Sequence, residues 1–536
     1  MPSVHSSKEL ATAVAGAHDV LRAATTLPSV GRTRLQWIGL FAGPCLAVLA
    51  YPALPDTYLG VDGMTAAFTP AGRATASLAV WMAVWWLTEA IDVPATALLP
   101  LVVLPLTGAV SMREAAAPYG HDLVFLFIGG VILTLSMQRW GLHRRIALLT
   151  LSLAGTRPGG IVAGFMVVTA ALSMWLSNTA TTLMMLPVAL SVIDTVVRDM
   201  AEDGRTSEAD VRRFAACVML SIAYAASIGG VATIIGSPAT LFVVSYVRDS
   251  IGFEITFARW MGFGLLLVAI FLPLAWLVLT RVALPLRLGP IRSGGATARR
   301  SYERLGPMNR GERLTLVVFA CAVLAWITRP LLMQVEIAGL RPLLGLSDPG
   351  IAIAAALALF VLPVDPRRGQ FVMDWEHTRG LPWGIVILFG GGLSLAAAID
   401  AHGVAELLGS QVESWRGLPP LALIVLVTTM VTFLSELTSN TATAAALVPI
   451  LAALAPGLGV HPLVLIVPAA IAVSWAFMLP VGTPPNAIVF GSGHVSMAEM
   501  RNAGLWLNLL GIAVVTSFMY WVVLPLLGVL ASPAGQ

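Results

Sequence analysis

Two tripeptides of small polar residues, Ser177-Asn178-Thr179 and Ser439-Asn440-Thr441, stand in the middle of long apolar stretches, 262 positions apart. Non-helical backbone at membrane depth is tolerated only where it lines a cavity or is buried in protein. A tripeptide that turns the chain there leaves free amide N–H groups at the start of the next helix. Such an N-terminus attracts an anion. The Ser and Thr hydroxyls donate to it, and the Asn amide donates or accepts. Alone, either tripeptide reads as a helix N-cap, for which Ser and Asn are preferred. Two copies in register favour a pair of tips that grip a molecule with an anionic group at each end.

A second pair of interruptions accompanies them: Gly236-Ser237-Pro238 and Gly482-Thr483-Pro484-Pro485-Asn486. Proline removes a donor and blocks the bond to the preceding turn, while glycine permits unusual dihedrals. The freed carbonyls, with hydroxyl and amide oxygens, suit a hard cation. One such kink would be a packing feature; the same kink in each half, beside each tripeptide, favours an ion site. No Arg or Lys lies within any of the four segments. Holding a dianion by dipoles alone in a low dielectric is costly, and co-bound cations solve that problem. Neutral sites without a chain of acids suit sodium better than a proton relay. Glu436, three residues before Ser439, is the exception. It is a functional candidate as an intramembrane acid, and equally a side chain that bonds N–H groups of its own hairpin. His121, Asp122, Glu89, Asp92 and Asp400 lie near span ends and read as interfacial caps. The chain has no HExxH, GxSxG or P-loop, which argues against an enzyme and against an ATP-driven pump. No cofactor is expected, only sodium as a coupling ion.

The elements that position these residues must be membrane helices. Apolar residues make up 57% of the 536 and charged residues 11%, against about 25% charged in a soluble domain, and mean hydropathy is +0.86. Only lipid solvates that much apolar surface. The net charge of +3 does not imply nucleic acid, because the basic residues sit in short inter-helix segments. Cys45, Cys217 and Cys321 lie far apart in apolar runs, as neither disulfide framework nor metal site. Runs long enough to span fall near 35–52, 74–92, 94–110, 122–138, 212–248, 259–286, 314–333, 349–364, 383–400, 462–492 and 503–530. The stretches 160–197 and 418–456 each hold two short helices around a tripeptide. If both are re-entrant hairpins, the positive-inside rule places every basic cluster on one side. Arg281 to Arg313, Arg198 to Arg213, Arg139 to Arg157, Arg367 to Arg379, Arg501 and the N-terminus are then cytoplasmic, and the C-terminus is outside.

The halves repeat. Phe127 and Phe389, Gly141 and Gly403, and Ser177 and Ser439 share the 262-residue offset, and Gly236 and Gly482 are 246 apart. The charge-based topology runs 122–138 inward and 383–400 outward, so the halves are inverted. Inverted repeats with interrupted helices mark alternating-access transporters with a site at the repeat interface. The chain divides into a tail 1–34, first scaffold helices 35–110, a first inverted repeat 111–286 and a basic linker 287–313. A second repeat 314–530 and a tail 531–536 follow.

At these residues the chain resembles the divalent anion/sodium symporter family, the INDY-type dicarboxylate and citrate carriers, over roughly 75–530. The resemblance implies an all-α polytopic protein of the inner membrane, with about eleven spans and two re-entrant hairpins. It also implies a homodimer and elevator-type movement. Carried onto this sequence, Ser173, Ser177, Asn178 and Gly236 form one sodium site, and Ser435, Thr438, Asn440 and Gly482 the other. Ser177, Asn178, Thr179, Ser237, Ser439, Asn440, Thr441 and Thr483 hold the substrate carboxylates, with Pro238, Pro484, Pro485 and Asn486 breaking the helices. The first half departs from the family pattern, reading Gly236-Ser237-Pro238-Ala239-Thr240. The expected function is sodium symport of C4-dicarboxylates such as succinate, malate or fumarate. The alternatives are a sodium-independent exchanger, a citrate or sulfate carrier, or a channel.

Overall fold

Proline and glycine decide where the apolar runs begin and end as helices. Proline opens the paired helices α8 (Pro158–Ser173) and α18 (Pro420–Ser435), and likewise α11 (Pro238–Ile251) and α21 (Pro484–Gly491). Its fixed φ suits a first helical turn and its missing N–H costs nothing there. Gly141 and Gly403, at φ 73° and 74°, end α6 (Asp122–Trp140) and α16 (Trp383–Ala401). Left-handed glycine turns the chain there into two shorter helices, α7 (Leu142–Ser152) and α17 (Val404–Gln411). Neither of these was read from the sequence.

A computed structural model describes residues 32–59, 65–203, 207–289, 291, 294–337 and 340–529. Residues 1–31 and 531–536 of the expected tails, and the basic residues Arg205 and Arg292, lie outside these. The first half starts with α1 (Arg34–Ala53), α2 (Pro70–Thr88), α3 (Val93–Thr96), α4 (Leu99–Leu106) and α5 (Met112–Ala116). After α6, α7 and α8 come α9 (Asn178–Asp203), α10 (Glu208–Gly230), α11 and α12 (Phe257–Leu277). The expected basic linker contains α13 (Gly294–Arg304), which packs on α7. The second half repeats the order with α14 (Arg310–Leu332), α15 (Asp348–Val361), α16, α17 and α18. Its remaining helices are α19 (Asn440–Leu458), α20 (Leu463–Ala472), α21 and α22 (Met497–Phe518). Element order extends the correspondence to α2 and the α3–α4 pair, which stand where α14 and α15 stand. Two short hairpins, β1 (Thr57–Leu59) with β2 (Thr65–Ala67) and β3 (Pro363–Asp365) with β4 (Gln370–Phe371), sit between helices.

Among the described residues nine helices are long and apolar enough to cross a membrane. The runs expected near 94–110, 349–364 and 462–492 form shorter or broken pieces. Helices α8 and α18 have 16 residues each, about 24 Å, short of a hydrocarbon core of about 30 Å. Glu89, expected as an interfacial cap, ends α2 at φ 47°. His121 caps α6, its ring accepting from Leu123 N–H at 3.2 Å.

The halves interlock by exchange. Helix α6 packs on α15 of the other half, and α16 packs on α3 and α4. Close approach requires glycine at matching places. A Cβ on Gly129 would lie 2.7 Å from the Cβ of Ala352, and one on Gly391 would lie 2.6 Å from that of Ala97. Phe389 of α16 meets Phe127 of α6 edge-on at 5.9 Å and stacks on Phe242 of α11 at 6.4 Å. Gly392 lies against the Phe242 ring.

One buried ion pair ties α7 to the start of α14. Arg145 Nη2 lies 3.1 Å from Glu312 Oε2 and Nε 3.2 Å from Oε1, while Nη1 donates to the Gly306 carbonyl at 2.8 Å. Both side chains are nearly inaccessible, at 9% and 6%. Arg145→Met strands the Glu312 charge, and removing one partner of a buried pair costs about 3–5 kcal/mol. The expected result is a clear fall in the thermal unfolding midpoint of the detergent-solubilised protein.

Candidate functional site

The centre of the molecule is made of four interruptions. Residues 174–177 separate α8 from α9, and Glu436 to Ser439 separate α18 from α19. Residues 231–237 separate α10 from α11, and 473–483 separate α20 from α21. Packing brings them together crosswise. Helix α9 lies against α21 of the opposite half, and α19 against α11; α10 likewise meets α21, and α20 meets α11.

The two hairpin tips have the same internal wiring. Ser173 Oγ stands 2.6 Å from Asn178 Oδ1 and 2.8 Å from the Ala226 carbonyl oxygen. Ser435 Oγ stands 2.7 Å from Asn440 Oδ1 and 2.7 Å from the Val473 carbonyl oxygen. In each triad one hydroxyl proton faces two acceptors, so three oxygens converge with too few donors. That is the chemistry of a hard-cation site, which takes carbonyl, amide and carboxyl oxygens. A Cβ on Gly236 would lie 2.5, 2.9 and 3.1 Å from the carbonyl oxygens of Gly230, Met174 and Ser173. The space beside Gly236 is thus a cradle of oxygens that any side chain would fill. Asn178 and Asn440 are the first residues of α9 and α19, whose leading N–H groups have no preceding turn to bond. Ser177 is exposed, whereas Asn178, Thr179, Ser439, Asn440 and Thr441 are half-buried.

The halves meet at hydroxyls. Ser237 Oγ lies 3.2 Å from Ser474 Oγ, both side chains buried. Ser474 was not among the residues read from the sequence. Its counterpart is Ser227, directly after Ala226 as Ser474 follows Val473, and the Ser227 hydroxyl is buried without a bond among the described residues. Thr483 caps α21, accepting from Asn486 N–H at 3.4 Å. Thr438, placed at the second sodium site by resemblance, donates to the Leu434 carbonyl at 3.0 Å and shares a hydrogen bond with Thr443 Oγ1 at 2.6 Å.

The breaks of the first and second halves are held differently. In the first, Thr233 Oγ1 donates to the Met174 carbonyl at 2.5 Å and accepts from Gly236 N–H at 3.2 Å. In the second, the Glu436 carboxylate accepts from the N–H groups of Phe477, Met478 and Leu479 at 2.7, 2.8 and 3.0 Å. Asn508 Nδ2 on α22 also donates to it, at 2.7 Å. Of the two readings of Glu436, the structure shows bonding to backbone N–H groups, but those of the facing break rather than of its own hairpin. Asn486 Nδ2 closes the same break by donating to the Ala476 and Leu479 carbonyls at 3.1 and 3.0 Å.

Interrupted helices from two exchanged halves, meeting at a polar centre where none of the hydrogen bonds among the described residues comes from Arg or Lys, are the pattern of a secondary carrier. Residues 64–527 match the family model described as the sodium:sulfate symporter transmembrane region, and the chain belongs to that family, the divalent anion/sodium symporters. It is similar, at 39% identity over 500 residues and 92% of each chain, to the sodium-dependent dicarboxylate transporter SdcS of Staphylococcus saprophyticus. The SdcS of Staphylococcus aureus matches at 39% over 496 residues, again 92% of each chain. In fold, the chain resembles the Alcanivorax borkumensis YdaH transporter, with TM-score 0.58 and 12% identity, over 91% of this chain and 99% of that one. It also resembles Neisseria gonorrhoeae MtrF, with TM-score 0.55 and 14% identity, over 94% and 98%. This is therefore a membrane carrier, not an enzyme.

Asn486→Leu removes the side-chain donor from the buried Ala476 carbonyl, at a cost of about 1–3 kcal/mol, while the Leu479 carbonyl still accepts from Gly482 N–H at 3.2 Å. It should lower the unfolding midpoint measurably. Thr240→Val removes only a buried hydroxyl that makes no bond among the described residues, and should leave the midpoint unchanged or raise it.

Proposed function

We propose that this carrier moves C4-dicarboxylates of the succinate, malate and fumarate class together with sodium, across the cytoplasmic membrane. The observation that carries the reading is the matched pair of triads, Ser173–Asn178–Ala226 carbonyl and Ser435–Asn440–Val473 carbonyl. Each supplies oxygens for a cation directly beneath helix N–H groups suited to a carboxylate. Two such tips fit an anion with a charge at each end. The 39% identity to transporters named for sodium-dependent dicarboxylate transport supports the same choice of ion and substrate.

In this reading Ser177, Asn178, Thr179, Ser439, Asn440 and Thr441 face the two carboxylates, and Ser237 and Thr483 close the site from the broken helices. Each Asn serves both ligands: its Oδ1 belongs to the cation triad, and its backbone N–H opens a helix toward the anion. Substrate and cation thus complete each other's sites, which couples them. Ser173, Ser177, Asn178 and Gly236 hold one sodium; Ser435, Thr438, Asn440 and Gly482 hold the other. For Thr438 to take part, its bond to Thr443 must yield. The tips are re-entrant hairpins, the N-terminus is cytoplasmic and the C-terminus outside. The protein works as a homodimer whose site-bearing domains move as elevators.

Uptake of radiolabelled succinate into proteoliposomes, with sodium or potassium outside and no internal substrate, tests this. Concentrative uptake with sodium alone is the expected result. Uptake only into dicarboxylate-loaded vesicles would make the protein an exchanger, and no uptake in either case would redirect the search to sulfate and citrate. Asn178→Ala and Asn440→Ala should each abolish uptake while the protein remains folded by size-exclusion chromatography.

A further inference from the structure

The two breaks occupy equivalent positions, yet they carry different charge. Glu436 stands where the first half has Met174, since both follow the triad serine, Ser435 or Ser173. Ala476 stands where the first half has Gly230, and Asn486 where it has Thr240, all at the 246-residue offset of Gly482 from Gly236. These exchanges act together. In the first half the Gly230 carbonyl points into the cradle beside Gly236, at 2.5 Å from a Cβ position there. In the second half the matching Ala476 carbonyl is engaged by Asn486 Nδ2. The oxygen that faces Gly482 instead is Glu436 Oε2, 3.0 Å from its Cβ position, with the Glu436 carbonyl at 3.3 Å. Thr240 has no amide and its hydroxyl bonds nothing in the described chain, so nothing draws the Gly230 carbonyl away.

Glu436 accepts from four N–H donors and, among the described residues, is bonded to no acceptor for a proton of its own. That is the bonding pattern of a carboxylate rather than a carboxylic acid. The three atoms nearest the Gly236 position are thus neutral carbonyl oxygens, whereas the nearest at Gly482 is a carboxylate oxygen, and in a low dielectric a charge outweighs a carbonyl dipole.

We propose that Glu436 makes the two cation sites unequal, so that the site at Gly482 binds sodium tightly and fills first. The site at Gly236 is weak and fills with the substrate. Asn508 is a positioning residue for that charge, holding Oε1 while Oε2 faces the ion. This inference rests on the sodium-coupled reading above, with one cation at each break. It also assigns a role to the first half's departure from Pro-Pro-Asn: the missing amide leaves the Gly230 carbonyl free to serve as a neutral ligand.

The test is the unfolding midpoint of the purified protein in detergent, titrated with sodium chloride against choline chloride at constant ionic strength, without substrate. Sodium alone should stabilise the wild type. Glu436→Gln and Gly482→Ala should each raise the half-stabilising sodium concentration at least tenfold. Glu436→Asp, which keeps the charge, should shift it far less. Gly236→Ala should shift it less than threefold, yet raise the sodium needed for succinate uptake. If Glu436→Gln does not fold, the contrast between Gly482→Ala and Gly236→Ala still decides. An equal or larger shift in Gly236→Ala would overturn the inequality and leave sodium coupling intact. A wild type that sodium does not stabilise, and that takes up succinate without it, would overturn the sodium reading itself.

Discussion

A helix interrupted within apolar surroundings leaves backbone N–H and C=O groups that need a partner, and this protein packs four such interruptions crosswise. The rest of its architecture answers that requirement. Thr233 of the first break meets the Met174 carbonyl at the hairpin tip beside it, and Asn486 meets the Ala476 and Leu479 carbonyls of the second break. N–H groups of the second break are met by Glu436. The groups left over are the ones aimed inward: hydroxyl and carbonyl oxygens at the triads, and N–H groups at the starts of α9 and α19. Binding capacity is therefore what remains after structural demands have been met.

Exchange between the halves keeps the interruptions together. Each broken helix packs on the other half's hairpin helix, and each of α6 and α16 is received by helices of the opposite half. Neither half alone could cover its own breaks. The glycines at 129 and 391 permit backbone approach at equivalent places, so the symmetry extends from element order to individual contacts. It gives way at Met174 against Glu436, at Gly230 against Ala476 and at Thr240 against Asn486.

Much of this was legible in the sequence, because a constant offset between two unusual motifs survives where periodicity says little. The tripeptides, the Gly-Ser/Thr-Pro breaks and the polytopic helical class could all be read from residue types and spacing. Ser474 could not. It lies in an apolar run with no motif around it, and its pairing with Ser237 spans 237 positions. Its counterpart was further masked by a one-residue slip in register, since Ala226 and Val473 are 247 apart whereas Gly236 and Gly482 are 246 apart. Glu436 was visible as an anomaly, but its partners are 41 to 72 residues away, beyond any local reading. Helices α7 and α17 escaped because they are short and follow directly on glycine turns.

Phe389 touches Phe127 and Phe242 where α6, α11 and α16 converge, and Gly392 presents a bare backbone to the Phe242 ring. Rings pack by shape and prefer edge-on or offset arrangements, whereas a hydrogen bond weakens steeply once its angle is lost. A face held this way has no hydrogen bond to cut, and at Gly392 the Phe242 ring rests on bare backbone rather than on a side chain. In mechanical terms it is a joint held by fit, and its tightness is set by the volume of the residues in it.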